Sequence, residues 1–197
     1  MNYLYNKKIT YIFGDGRKDK LLSKKKFAKE FFYSYFEFKS HCRELNIIEF
    51  KENNNPYLVF VDKILRKITN LSFYMDNIYN SKNKKLLKNS DIIIATNDRL
   101  GLSALPILIP RGKKKYKSFV FVMGLLSNKS TNIIKKFTNK FFLSIFLKTF
   151  DKLIFLGKPE YEKAISKYSK HKNKLVFLPF SIDTEFWNVE KQSEKKY

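Results

Sequence analysis

Asp91-Ile92-Ile93-Ile94-Ala95-Thr96 is an almost unbroken run of β-branched residues. A strand of this kind has no side to give to water, so both of its faces must be buried, as in a parallel sheet with helices on either side. The rest of the chain has to be compatible with that strand. Ser118-Phe119-Val120-Phe121-Val122-Met123 has the same character and stops at Gly124. Shorter β-type runs occur at Thr10–Phe13, which ends at Gly14-Asp15-Gly16, and at Asn46–Phe50, Lys152–Leu156 and Lys174–Leu178.

Amphipathic stretches separate these runs. Phe27, Phe31, Tyr35 and Phe38 recur at helical spacing with lysines and glutamates between them, which predicts a helix with one apolar face. Leu58, Val61, Leu65, Ile68, Ser72, Met75 and Tyr79 alternate steps of three and four. Asn55-Pro56 in front supplies a cap and a proline at the first helical position, so a long helix is expected from Tyr57 to Tyr79. Asn97-Asp98 should cap a short helix that ends by Pro106 or Pro110. Further helices are expected from about Asn132 to Phe150 and from Pro159. Strands alternating with helices mean βαβ units. The expected fold is therefore α/β: a Rossmann-like, doubly wound parallel sheet with helices on both faces. It forms one domain over residues 1–187, with 188–197 as a linker or tail.

Composition narrows the function classes. A hydrophobic content of 44% is too high for a disordered tail, and 29% charged residues is too high for a membrane-embedded chain. The longest apolar run, Phe141 to Leu147, is far short of the roughly 18 to 20 residues that span a bilayer. The N-terminus lacks the apolar core of a secretory signal. Cys42 alone excludes an internal disulfide and fits a reducing cytosol, while His41 and His171 are too few for a Cys/His zinc site. The net charge of +22 comes from 40 basic against 18 acidic residues, yet only five of the 40 are arginine. Lysine is accompanied by an excess of Asn, Ile, Phe and Tyr, the residues of A/T-rich codons, so much of the charge reads as codon drift on a solvated surface. A nucleic-acid binder would favour arginine, whose planar fork grips phosphates and base edges, and nucleic acid is accordingly disfavoured. An anionic membrane surface remains open as a partner.

In such a sheet, ligands sit at the carboxyl ends of the strands. Gly14, Asp15, Gly16 and Arg17 follow the first strand, and glycines there would let the backbone approach a phosphate at a helix start; the alternative is a plain turn. Asn97 and Asp98 follow the strongest strand and offer several hydrogen-bonding atoms to a hydroxylated ligand, or else cap a helix. Met123 and Gly124 end another strand, where the glycine either lines a site or simply turns the chain. Asp15, Asp98 and Glu160 could act as bases only if they converge. The basic loop Arg111–Lys115 is either a solvated turn or an anion site. The helix around Phe137 and Phe141 either packs on the sheet or lies in a membrane interface.

The last third of the chain carries a resemblance. Phe150-Asp151-Lys152-Leu153-Ile154-Phe155-Leu156-Gly157-Lys158-Pro159-Glu160 is followed by Leu175-Val176-Phe177-Leu178-Pro179-Phe180-Ser181-Ile182-Asp183-Thr184-Glu185-Phe186-Trp187. This resembles the end of the N-terminal domain of GT-B-fold glycosyltransferases of the retaining family 4 type, over residues 85 to 190 or so. Phe180-Ser181 departs from the small residue and glycine usual in that turn. Met123-Gly124 stands where many members carry a histidine near the reacting sugar. The resemblance implies an acceptor-side half-enzyme, for which a nucleotide-sugar is co-substrate and a glycan or lipid-linked glycan is acceptor, with no cofactor or metal. The family's donor-binding domain would begin beyond Tyr197, so the chain alone is expected to be inactive. It would be a fragment or one subunit of a split enzyme, cytoplasmic, with the inner face of the cell membrane as a candidate surface. The other reading is a non-catalytic, basic, membrane-associated binding module.

Overall fold

The computed structural model describes residues 4–23, 26–109, 115–125 and 132–188. Six strands form one parallel sheet: β1 (Lys8–Phe13), β2 (Glu44–Glu49), β3 (Ile92–Ala95), β4 (Lys117–Val122), β5 (Lys152–Phe155) and β6 (Leu175–Phe177). Their spatial order is β2-β1-β3-β4-β5-β6, so the winding direction reverses between β1 and β3. In register, Ile12 faces Ala95 of β3, and Ala95 faces Val120 of β4. The helices are α1 (Arg17–Leu22), α2 (Tyr35–Lys39), α3 (Pro56–Thr69), α4 (Ser81–Lys88), α5 (Asp98–Leu108), α6 (Ile133–Thr149) and α7 (Lys158–Lys167). Among the described residues no helix is long and apolar enough to cross a membrane.

Strand residues alternate between two cores, as the pleat requires. Ile12, Ile93, Ala95, Val120, Val122, Leu153 and Phe155 belong to a large core with α5, α6 and Ala164 of α7. Ile9, Tyr11, Phe13, Ile94 and Phe121 form a second core with Phe32 and Tyr35. The sheet is thus buried on both faces, which is the doubly wound architecture the isoleucine run demanded. The asparagine richness of the chain has a local use. Asn55, Asn80, Asn97 and Asn132 each turn a side-chain oxygen onto the first free amides of α3, α4, α5 and α6.

Two elements differ from the sequence expectation. The Phe27–Phe38 stretch is not one helix: a 3-10 turn (Lys29–Phe32) is cut from α2 by Tyr33 (φ 50°) and Ser34 (φ 60°), both left-handed. The helical period there reflects aromatic packing instead, since Phe27, Phe32, Tyr35 and Phe36 all cluster under β1. The helix expected from Tyr57 to Tyr79 stops at Thr69, because Asn70 turns left-handed (φ 57°). Beyond it, the buried Asp62 carboxylate accepts the amides of Met75 and Asp76 and pulls that segment into a 3-10 turn. Helix α5 ends at Leu108, before Pro110 as expected, and it runs through Pro106. The proline lies in the last turn, exposed, and the Ile109 amide still reaches the Leu105 carbonyl at 2.8 Å, so the turn closes. The sequence reading had no counterpart to α4, whose only apolar residues are Leu86 and Leu87.

Gly101 sets how closely α5 approaches the sheet. A Cβ there would lie 2.9 Å from Val120 Cγ2 and 3.0 Å from Phe146 Cε2, inside normal contact distance. Overpacking costs about 1–3 kcal/mol, more than the roughly 1 kcal/mol of helix propensity that alanine adds. Gly101→Ala is therefore expected to lower stability by about 1 kcal/mol, read from the urea midpoint. A stabilised variant would refute this tight contact.

Candidate functional site

The loop after β1 is a turn held by backbone geometry. Gly16 adopts φ 74°, where a side chain would be strained, and starts α1, which is only six residues long. The first-turn amide of Lys18 donates to Glu49 Oε1 at 2.9 Å, so this helix start already meets a carboxylate. Asp15 is exposed and Gly14 has open space around it. The Arg17 guanidinium lies over the rings of Phe31 and Phe32, at 5.3 and 5.7 Å.

The next three strand ends are stitched together. Asn97 caps α5, accepting from the Leu100 amide at 2.9 Å. Asp98, the first residue of α5, reaches sideways: its Oδ1 accepts the Met123 amide at 3.0 Å. Glu160, in the first turn of α7, accepts the Gly124 amide at 3.0 and 3.1 Å with its two oxygens. Gly124 is left-handed (φ 94°), which glycine alone accommodates without strain. Asp98 and Glu160 thus do converge, but as a clamp on two successive amides of one turn. Burial pushes the Asp98 carboxyl above the ordinary aspartate range, and neighbouring Glu160 adds to the rise, against the Met123 amide and Arg99. Arg99 itself stacks over Phe50 and Tyr74, at 5.0 and 5.5 Å.

Beside this clamp a cleft of about 370 Å³ opens over Phe121 and Leu156, walled by Glu30, Tyr33 and the segment 178–183. Tyr33 joins the two sites. Its ring packs on Phe121 (4.4 Å), its hydroxyl lies 4.0 Å from Met123 Sδ, and its carbonyl accepts the Tyr11 hydroxyl at 2.8 Å. Burial raises the Tyr33 phenol, while Arg17 pulls it back. The stretch Pro179–Trp187 folds back over the second core. Phe180 meets Phe31 at 6.4 Å, Asp183 accepts the Lys29 amide at 3.2 Å, and Trp187 Nε1 donates to Glu30 Oε1 at 2.6 Å. The other oxygen, Glu30 Oε2, is buried with no hydrogen-bond partner among the described residues.

Of the residues expected from sequence, Asn97, Asp98, Met123 and Gly124 come together at neighbouring strand ends, but neither they nor Gly14, Asp15, Gly16 and Arg17 are among the cleft's lining residues. Residues 111–114 of the basic loop lie outside the described residues. Glu30 and Tyr33 escaped the sequence reading because both sat inside a pattern that looked like one amphipathic helix. No protein-family model matches the chain, and no curated protein or solved structure matches it.

The raised Asp98 pKa has a definite sign. The folded chain holds that proton more tightly than the unfolded chain, so this group's contribution to stability falls as pH rises from the ordinary aspartate value, about 3.9, through the raised one. Relative to D98N, the wild-type protein is expected to gain stability as the pH is lowered through that window in urea titrations. NMR titration of the Asp98 carboxyl should give a midpoint above about 3.9. A midpoint below it would show that hydrogen bonding, and not burial, dominates.

Proposed function

We propose that this chain is the acceptor-side half of a GT-B glycosyltransferase. It would hold a glycan or lipid-linked glycan that receives a sugar from a nucleotide-sugar bound on a separate donor domain. The observation that carries the reading is Glu30: one carboxylate oxygen is held by Trp187, and the other is buried in the cleft wall without a donor among the described residues. A buried acceptor left unpaired is costly, and a ligand hydroxyl is a natural donor for it. Tyr33, Phe121 and Phe180 beside it offer flat apolar faces, the mixture of surfaces that suits a sugar ring. Trp187 and Asp183 belong to the stretch that resembles family 4 transferases, which ties the resemblance to the cleft.

Asp98 and Glu160 are occupied with backbone amides, so no acid or base is assigned to them. Transfer requires both substrates in one closed site, and the nucleotide-sugar enters as co-substrate. We place the protein in the cytoplasm at the inner membrane face, where lipid-linked acceptors are displayed.

Calorimetric titration with oligosaccharides and short-chain lipid-linked saccharides tests this. Saturable binding is expected, weakened about tenfold or more in E30Q, since a hydrogen bond to a charged group is worth about 1.5–3 kcal/mol. Nucleotide-sugars alone are expected not to bind. If no saccharide binds, or if E30Q binds as tightly as the wild-type chain, the acceptor reading fails.

A further inference from the structure

Helices α3 and α6 lie side by side on the large core. The Thr138 hydroxyl donates to the Ile68 carbonyl, and the Asn139 amide donates to the Thr69 carbonyl at 2.9 Å. Their inner sides are buried, through Asp62 and Thr69 on α3 and Leu143, Phe146 and Leu147 on α6. Their outer sides are not uniformly polar. On α3, Tyr57, Phe60, Ile64 and Ile68 follow one another at steps of three, four and four, all exposed. On α6, Ile133, Ile134, Phe137 and Phe141 are exposed too, the last three at steps of three and four. Exposure reaches 72% at Tyr57, 81% at Ile133 and 74% at Phe137. A water-facing helix would carry polar residues at such positions. Single exposed apolar residues are ordinary, but a stripe along two neighbouring helices calls for a partner.

The charge around the stripe says which partner. Lys63 and Lys67 on α3 and Lys136 and Lys140 on α6 are exposed on the same turns. Neither helix has an exposed carboxylate: Asp62 is buried against the Met75 and Asp76 amides, and α6 has no acidic residue. Among the described residues no ion pair neutralises these four lysines.

We propose that the outer faces of α3 and α6 together dock the protein on an anionic lipid membrane. Phosphate headgroups match the lysines, and the acyl boundary takes up the phenylalanines and isoleucines. A second copy fits poorly, because a two-fold interface would set lysine against lysine. Nucleic acid would satisfy the lysines and leave the apolar stripe in water. Asn55-Pro56 follows β2 and Asn132 follows β4, so both helices begin at the carboxyl edge of the sheet. Docking there would bring the strand-end loops towards the lipid. The inference deepens the membrane part of the function proposed above and does not depend on its sugar chemistry.

Flotation of the full chain with saccharide-free vesicles is the test. Binding is expected to vesicles made of equal parts phosphatidylcholine and phosphatidylglycerol, and not to phosphatidylcholine alone. Added salt should weaken binding without abolishing it. The double variant I133Q/F137Q changes only exposed side chains and should keep the wild-type urea midpoint. It should lose on the order of tenfold in affinity for the anionic vesicles. K136Q/K140Q should remove much of the salt-sensitive part. The proposal is overturned if the anionic vesicles do not bind, or if I133Q/F137Q binds them like wild type, which would mean charge alone. It is also overturned if sedimentation shows a wild-type dimer that I133Q/F137Q makes monomeric, which would identify the partner as a second copy.

Discussion

The handedness of the βαβ crossover governs where everything in this molecule goes. A right-handed connection places its helix on one face when the chain moves in one direction along the sheet, and on the other face when the direction reverses. Here only the step from β1 to β2 runs one way; every later step runs the other. The helices after β2 therefore gather over the large core, and the second face receives the segment between β1 and β2 and, after the last strand, the returning Pro179–Trp187 stretch. That segment is built from Phe27, Phe32, Tyr35 and Phe36, and it covers β1 well but leaves the sheet beyond Phe121 short of a helix. The cleft over Phe121 and Leu156 is the consequence, and the returning Pro179–Trp187 segment forms its far wall.

The strand ends beside that cleft face a second constraint. Turns at the carboxyl edge of a parallel sheet expose successive amides that no ladder partner satisfies. Asp98 and Glu160, each at the start of a helix, take the amides of Met123 and Gly124. The site is therefore pre-organised by carboxylates that are themselves consumed in the organising. The groups left for a ligand are the peripheral ones, Glu30 and Tyr33, held by contacts from residues far apart in the chain.

The high positive charge has two components of different weight. Spread over an exposed surface, single lysines contribute little to stability and are screened at physiological salt within about 8 Å. On the outer faces of α3 and α6 the same residue type flanks a continuous apolar stripe without an exposed carboxylate among them. Codon bias would explain a high number of lysines. It does not account for a water-facing side made of Tyr57, Phe60, Ile133 and Phe137.

Most of the fold was legible in the sequence because its signals are local. A β-branched run such as Ile92-Ile93-Ile94 has nowhere to go but a sheet buried on both faces, and an asparagine before an amphipathic stretch caps it whatever the neighbours do. The parallel sheet, the starts of α3, α5 and α6, and the strand-end positions of Met123 and Gly124 follow from that chemistry alone. What the chain alone left open was decided by contacts between distant segments. The Phe27–Phe38 period could serve one helix or an aromatic cluster, and packing beneath β1 chose the cluster through left-handed turns at Tyr33 and Ser34. Asp62 ended the helical pattern after Thr69 by capturing two later amides. Asp98 read first as a cap and otherwise as a ligand-binding group or a base, and only the approach of the β4 loop made it a clamp. Residue type and spacing fix what a segment is able to form; the choice among those forms belongs to partners that sequence distance hides.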